Sequence, residues 1–331
     1  MNAPSEWRRQ DCPVPMRLET QALVPYPVRF DRSHHDALVV LGATATGKTA
    51  LAVALAQKYQ GEIISADSRQ VYRGLDVGTG KDLALYGSVP YHLIDVCDPY
   101  EEYNVFRFQQ AVYGIVPSIL RAHKVPIIVG GTGLYLDAVL RQYALVPVER
   151  NQALRASLRG ASLSHMRAVY FSLKDSHAVH NKTDLEDPAR LMRAIEIAVF
   201  HATHPELLQQ ARETRPMMRA KVYGIQYPRS MLRARIRARL EQRIRGGLIE
   251  EVAALHKGGV SWQRLEYFGL EYRFTAQYLQ GIIATRDEYV DLLFRAISRF
   301  AKRQETWFRR MQRLGVKIHW LVHTENGFVL R

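Results

Sequence analysis

Gly42-Ala43-Thr44-Ala45-Thr46-Gly47-Lys48-Thr49 stands between the apolar run Ala37-Leu38-Val39-Val40-Leu41 and the alanine- and leucine-rich stretch from Ala50 to Ala56. The run is short enough for a buried parallel strand. The stretch that follows favours helix. Strand, glycine loop and helix together make G-x-x-x-x-G-K-[ST] a phosphate-binding loop rather than a chance string. Its glycines let backbone N–H groups turn toward an anion, and the helix N-terminus adds partial positive charge. Lys48 supplies a full charge, and the Thr49 hydroxyl is placed to hold Mg2+. The sequence therefore predicts a polyphosphate site over Gly42–Thr49.

Further strands are expected at Glu62–Ser65, His92–Val96, Val125–Val129, Val222–Ile225 and Val316–Trp320, with helical stretches between them. That alternation implies an α/β fold, a parallel sheet with helices on both faces. Residues 1–36 read as a poorly ordered N-terminal arm, broken by Pro4, Pro13, Pro15, Pro25 and Pro27. Residues 37–140 and 191–331 read as the core, and 141–190 as a helical insertion. The 331 residues carry a formal charge of +14 and a pI near 9.8, which favours a nucleic acid as partner over a membrane. Cys12 and Cys97 have no paired spacing, so neither a zinc site nor a disulfide scaffold is expected, in keeping with a reducing, cytoplasmic setting. No secretory signal is recognisable, and no membrane span is expected.

Ligands of open α/β sheets gather at the carboxyl ends of the strands. There Asp67 follows the second strand directly, poised to hold Mg2+ or to act as a base; the alternative is a simple N-cap. Gly130-Gly131-Thr132-Gly133 follows the fourth strand, where glycines let a hydroxyl and backbone amides approach a ligand; the alternative is a tight turn. Later, seven arginines between Arg229 and Arg245 interleave with Leu232, Ile236, Leu240 and Ile244. Those apolar residues form one buried stripe. Arg235 and Arg239 each follow a stripe member by three positions, which directs them toward phosphate. A second basic helix holds Arg295, Arg299, Lys302, Arg303, Arg309, Arg310 and Arg313, read as an RNA-facing surface.

Four segments taken together resemble the tRNA dimethylallyltransferase family, bacterial type. They are Gly42–Thr49, Ile64–Thr79 around Asp67-Ser68-Arg69-Gln70-Val71-Tyr72-Arg73, Val129–Tyr135, and Ala301–Phe308. Asp187-Pro188-Ala189-Arg190-Leu191-Met192-Arg193 and Gly247–Val252 add to the match. The resemblance implies a P-loop NTPase-like sheet with a helical insertion. It also implies transfer of a dimethylallyl group from dimethylallyl diphosphate to the exocyclic amine of the adenosine 3′-adjacent to the anticodon. The loop Gly42, Ala43, Thr44, Ala45, Thr46, Gly47, Lys48 and Thr49, with Arg235 or Arg239, would hold the diphosphate. Asp67, Ser68, Arg69, Gln70 and Thr132 would address the flipped-out adenine. Arg155, Ala189, Arg190, Leu191, Met192 and Arg193 would contact the tRNA anticodon stem-loop. Lys48, Asp67 and Thr132 are the expected catalytic residues, and Mg2+ on Thr49 the expected cofactor. A monomer is expected.

The chain departs from the family pattern in places. Gly80-Lys81-Asp82 stands where the family usually continues Ala-Lys-Pro, Gly269-Leu270-Glu271-Tyr272 replaces a Gly-Tyr-Lys-Glu element, and Leu185-Glu186-Asp187 replaces Pro-Asn-Asp. Three other readings share parts of the sequence: an ATP-binding kinase of small metabolites, a prenyltransferase acting on free adenine nucleotides, and a non-catalytic RNA-binding module. The kinase leaves the segment from Asp67 to Thr79 without a role. The nucleotide enzyme leaves the positive charge and the insertion without one, and the RNA-binding module leaves the phosphate loop without one.

Overall fold

The structure is a computed structural model describing residues 28–173, 185–214, 216–325 and 327–331. Among these residues a mostly parallel sheet runs in the order β3-β2-β4-β1-β5-β6-β7. Its strands are β1 Ala37–Gly42, β2 Gly61–Ser65, β3 Tyr91–His92, β4 Val125–Gly130, β5 Ala220–Gln226, β6 Ile318–Thr324 and β7 Gly327–Leu330. Only β7 is antiparallel to its neighbour. The unbroken apolar runs take the centre: every residue of β1 and of β4 is buried, as befits strands covered on both faces. β1 lies between β4 and β5. The loops that leave β1, β2 and β4 therefore open at one end of the sheet.

The third strand is shorter than its apolar run suggests. Leu93 and Asp95 adopt left-handed backbone angles, φ 62° and 56°, and the chain swings off to hydrogen-bond the segment after β2. Asp95 N–H donates to the Gln70 carbonyl and Val96 N–H to that of Val71. The buried Lys81 ammonium secures the bend, pairing with the Asp95 and Asp76 carboxylates and the Tyr72 carbonyl. The end of the expected N-terminal arm is also tied down. Val28 is buried, its carbonyl accepts from the Tyr59 hydroxyl at 2.8 Å, and the Arg29 backbone exchanges two hydrogen bonds with the Tyr223 hydroxyl. Residues 1–27, with Arg8, Arg9 and Cys12, lie outside the described residues.

The helices are α1 Lys48–Tyr59, α2 Val105–Arg121, α3 Gly133–Leu140, α4 Gln152–Ser157, α5 Leu163–Leu173, α6 Pro188–Thr203 and α7 Pro205–Glu213. After β5 come α8 Arg229–Arg245, α9 Leu248–Lys257, α10 Trp262–Tyr267, α11 Leu270–Leu279 and α12 Arg286–Arg313. The apolar stripe read in the sequence is the buried face of α8: Leu232, Ile236, Leu240 and Ile244. No helix among the described residues is long and apolar enough to cross a membrane.

Two compact units result, one of the residues up to Arg141 with Met218–Arg331, the other Gln142–Met217. The second unit reaches well past the 141–190 expected for the insertion. The reason is packing: Leu191 and Ile195 of α6 join Leu158, Met166 and Tyr170 in a separate apolar cluster, so residues 191–217 belong with the insertion. Within it the Glu196 side chain is fully buried yet charged. Burial opposes the charge, but hydrogen bonds from Arg155 (2.7 and 3.1 Å), Arg193 (3.0 Å) and the Asn151 N–H outweigh it. The carboxyl is held at about 2.

Candidate active site

The loop after β1 carries only small side chains, Ala43, Thr44, Ala45 and Thr46. Ala45 and Gly47 take left-handed backbone angles, and the Ala43 carbonyl accepts from the Thr46 hydroxyl at 2.8 Å and from Lys48 Nζ at 3.3 Å. Thr49 lies in the first turn of α1. Burial first, then the guanidinium groups of Arg239 and Arg243, pull the Lys48 ammonium down to about 8, against the attraction of Asp67. A buried cation beside two further cations is an environment suited to a polyanionic ligand.

Helix α8 supplies the rest of that charge. Arg235 Nε donates to the Ala45 carbonyl at 2.8 Å. Arg239 reaches the Thr44 hydroxyl at 3.3 Å and Asp82 at 3.4 Å. Arg243, which also follows a stripe member by three positions, donates to the Gly78 carbonyl (3.1 Å) and to Glu271 (2.8 Å). Sequence reading misses Arg243, although the spacing that selects Arg235 and Arg239 selects it too. Gly80 makes room for the last two. It sits at φ 61°, and a Cβ there would lie 2.5 Å from Arg239 Nη2 and closer still to Arg243. The departures at Gly80, Asp82 and Glu271 thus meet on neighbouring arginines.

The loops after β2 and β4 close on each other. Gly130 must be glycine, because a Cβ would run into the Ala66 carbonyl. Next to it the Thr132 hydroxyl accepts from the Ser68 N–H at 3.0 Å and lies 3.4 Å from the Ser68 hydroxyl. Asp67 Oδ1 accepts from the Arg69 N–H at 2.9 Å, so the carboxylate does cap a turn, as the simpler alternative has it. Its charge acts on Lys48 of the phosphate loop. Arg69 lies with its guanidinium 4.9 Å from the Tyr267 ring centre. Gln70 is buried and engaged on both sides, accepting from Ser65 and donating to the Gly80 carbonyl. Its amide thereby ties the end of β2 to the turn at Gly80.

Two further side chains, not singled out in the sequence, hold these loops in place. Gln304 of α12 accepts from the Thr44 N–H (2.9 Å) and donates to the Gly131 carbonyl (2.8 Å), bridging two loops. Glu251 of α9 accepts from three successive N–H groups, Asp76, Val77 and Gly78, and from the Tyr272 hydroxyl. Neither has a local pattern that reveals its role.

The residues expected on tRNA in the second unit have these surroundings. Arg155 and Arg193 are joined to Glu196, and Arg193 also donates to the Val148 and Glu149 carbonyls. Leu191 is fully buried in the second cluster, and Met192 packs against it. Asp187 caps α6 through the N–H groups of Ala189 and Arg190, which leaves Ala189 and Arg190 exposed at the helix start.

Comparison with known proteins agrees with this architecture. A family profile described as IPP transferase matches residues 70–311, and one described as isopentenyl transferase matches residues 35–85. The chain is 58% identical over 288 residues to tRNA dimethylallyltransferase 2 of Treponema denticola, covering 87% of this chain and 96% of that protein. It is 50% identical over 284 residues to the enzyme of the same name from Shewanella sediminis, covering 86% of this chain and 92% of that one. The crystal structure of the full-length tRNA isopentenylpyrophosphate transferase from Bacillus halodurans superposes with a TM-score of 0.62 at 32% identity, over 87% of this chain and 90% of that chain. A eukaryotic dimethylallyltransferase acting on tRNA shares the fold, with a TM-score of 0.68 at 20% identity, over 88% of this chain and 74% of that one. Matched by the IPP transferase profile over most of its length and by relatives at 58% and 50% identity, the chain belongs to the IPP transferase family, the tRNA dimethylallyltransferases.

Proposed function

We propose that this chain transfers the dimethylallyl group of dimethylallyl diphosphate to the exocyclic amine of the adenosine 3′-adjacent to the anticodon of tRNA. The observation that carries the reading is the gathering of Lys48, Arg235, Arg239 and Arg243 around a phosphate loop that also borders Asp67. An allylic diphosphate ionises when the departing oxygens are stabilised, because the carbocation left behind is delocalised. The loop amides, Lys48 and the α8 arginines act most strongly as charge develops on the leaving group. The Thr49 hydroxyl in the first turn of α1 is the oxygen donor this chain would offer to Mg2+, an ion that keeps waters and takes phosphate oxygens. Held there, it would neutralise diphosphate charge.

The acceptor nitrogen shares its lone pair with the adenine ring and is a weak nucleophile and a very weak acid. Asp67 therefore receives its proton as the new C–N bond forms or after it, not before. Thr132, whose hydroxyl joins the two loops at Ser68, borders the same place. To reach it the base leaves its stack, at a cost of a few kcal/mol, offset by contacts to the unpaired anticodon loop. The acting species on this reading is a cytoplasmic monomer. Purified protein, incubated with labelled dimethylallyl diphosphate and unmodified tRNA, should label one adenosine of the anticodon loop. Label passing to AMP instead, or phosphate passing from ATP, would overturn the assignment.

A further inference from the structure

The Arg235 guanidinium is held from two sides. Its Nε donates to the Ala45 carbonyl, and its carbon Cζ lies over the Tyr227 ring, 4.7 Å from the ring centre. Its two Nη groups make no hydrogen bond among the described residues, and Nη2 lies 3.6 Å from where a Cβ on Gly47 would be. The open fork of the arginine is thus turned over the phosphate loop.

Tyr227, the residue after β5, is buried and is itself backed by aromatic rings. The His323 ring stacks on it at 4.8 Å with planes 20° apart, and Phe328 meets it edge-on at 5.2 Å. His323 and Phe328 are register partners across β6 and β7. His323 Nδ1 is buried without a hydrogen-bond partner among the described residues, so stacking and not polar bonding accounts for where the ring lies. Arginine, tyrosine and histidine form one layered column from the edge of the sheet to the phosphate loop.

We propose that Tyr227, backed by the β6–β7 hairpin, is a positioning residue for Arg235 and so for the diphosphate of the prenyl donor. The proposal rests on the reading of Arg235 as a diphosphate ligand given above. An arginine side chain has several rotatable bonds and much entropy to lose. A ring that fixes its plane beforehand lets more of its attraction for the anion appear as affinity. The same hairpin, remote from the chemistry in sequence, becomes part of the donor site.

The test is donor binding, measured by calorimetry with dimethylallyl diphosphate, together with KM and kcat at saturating tRNA. Tyr227→Leu keeps an apolar side chain of similar depth and removes the ring. It should raise Kd and KM for the donor about tenfold, the scale of a desolvated cation–ring contact. Affinity for tRNA should stay at the parent value. Tyr227→Phe retains the ring and should restore donor affinity to within about twofold. In an Arg235→Ala background Tyr227→Leu should add nothing. Arg235→Ala with parental donor affinity would overturn the reading of Arg235 itself. A weakened Arg235→Ala beside a folded Tyr227→Leu of parental affinity would overturn the positioning role alone. Should Tyr227→Leu not fold, His323→Ala reads the same quantity at a half-buried position: a raised KM supports the column, and a parental KM refutes it.

Discussion

The Lys48 ammonium, drawn down to about 8 by burial and by the α8 arginines, gives the donor site a pH signature. A bound diphosphate favours the protonated lysine and raises its pKa, so binding carries proton uptake. Donor affinity should be level well below pH 8 and weaken above it, by up to about tenfold per pH unit until the pKa of the complex is reached. Lys48→Met should bind weakly and show a flat profile there, which calorimetry in buffers of different ionisation enthalpy will check. Asp67 separates by a different substitution. An amide oxygen can still accept from the Arg69 N–H, so Asp67→Asn should keep its melting temperature. It cannot take the adenine proton, and single-turnover transfer should fall by about two to four orders of magnitude. Near-parental turnover would leave Asp67 as a turn cap and nothing more. Both residues are legible in the sequence because the motif around each is contiguous. Arg243 is equally legible by its spacing. Gln304 is not, since its partners, Thr44 and Gly131, are brought to it only by the folded sheet.

Among the elements, the second unit hangs on one charged residue. Glu196 is buried with Arg155 and Arg193 on either side, and its carboxyl sits at about 2, below its ordinary value. A depressed acid stabilises the fold fully above its ordinary range and loses that contribution as pH falls through the folded value. The unit should therefore loosen progressively from about pH 4.5 toward about pH 2. Glu196→Gln should lower its stability at neutral pH by about 2 kcal/mol and flatten that acid limb, as read by hydrogen exchange of α4 to α6. The sequence shows helices here and an arginine row at the start of α6. It does not show that Leu191 and Ile195 close a core with α5, because an apolar stripe does not name its partner. The shortened third strand has the same origin. Its apolar run reads as a strand, and the pull of Lys81 on Asp95 acts only after folding.

Across the whole molecule the charge of +14 is unevenly placed. On α12 the exposed cations Arg295, Arg299, Lys302, Arg309 and Arg313 follow one another at helical spacing, with Arg303 beside them, opposite a buried face of Tyr289, Leu293, Ile297, Gln304, Phe308 and Met311. This basic stripe is the exposed part of the α12 surface expected to face RNA. Replacing Arg299, Lys302 and Arg303 by glutamine should weaken tRNA binding and lower its salt slope by about 0.7 for each single-strand phosphate that is no longer neutralised. Donor affinity should not move. A triple variant with the parental slope would show the stripe to be solvated surface.

Glu251 has a consequence for how such a chain changes over evolutionary time. Its carboxylate sits in a cup of three backbone N–H groups, much as a phosphate would. Backbone amides carry no sequence information. A loop moulded through them can exchange side chains, as at Asp76 and Val77, while keeping its course. The freedom of that loop to diverge therefore depends on one position of another helix, and Glu251 itself is where tolerance for change should end.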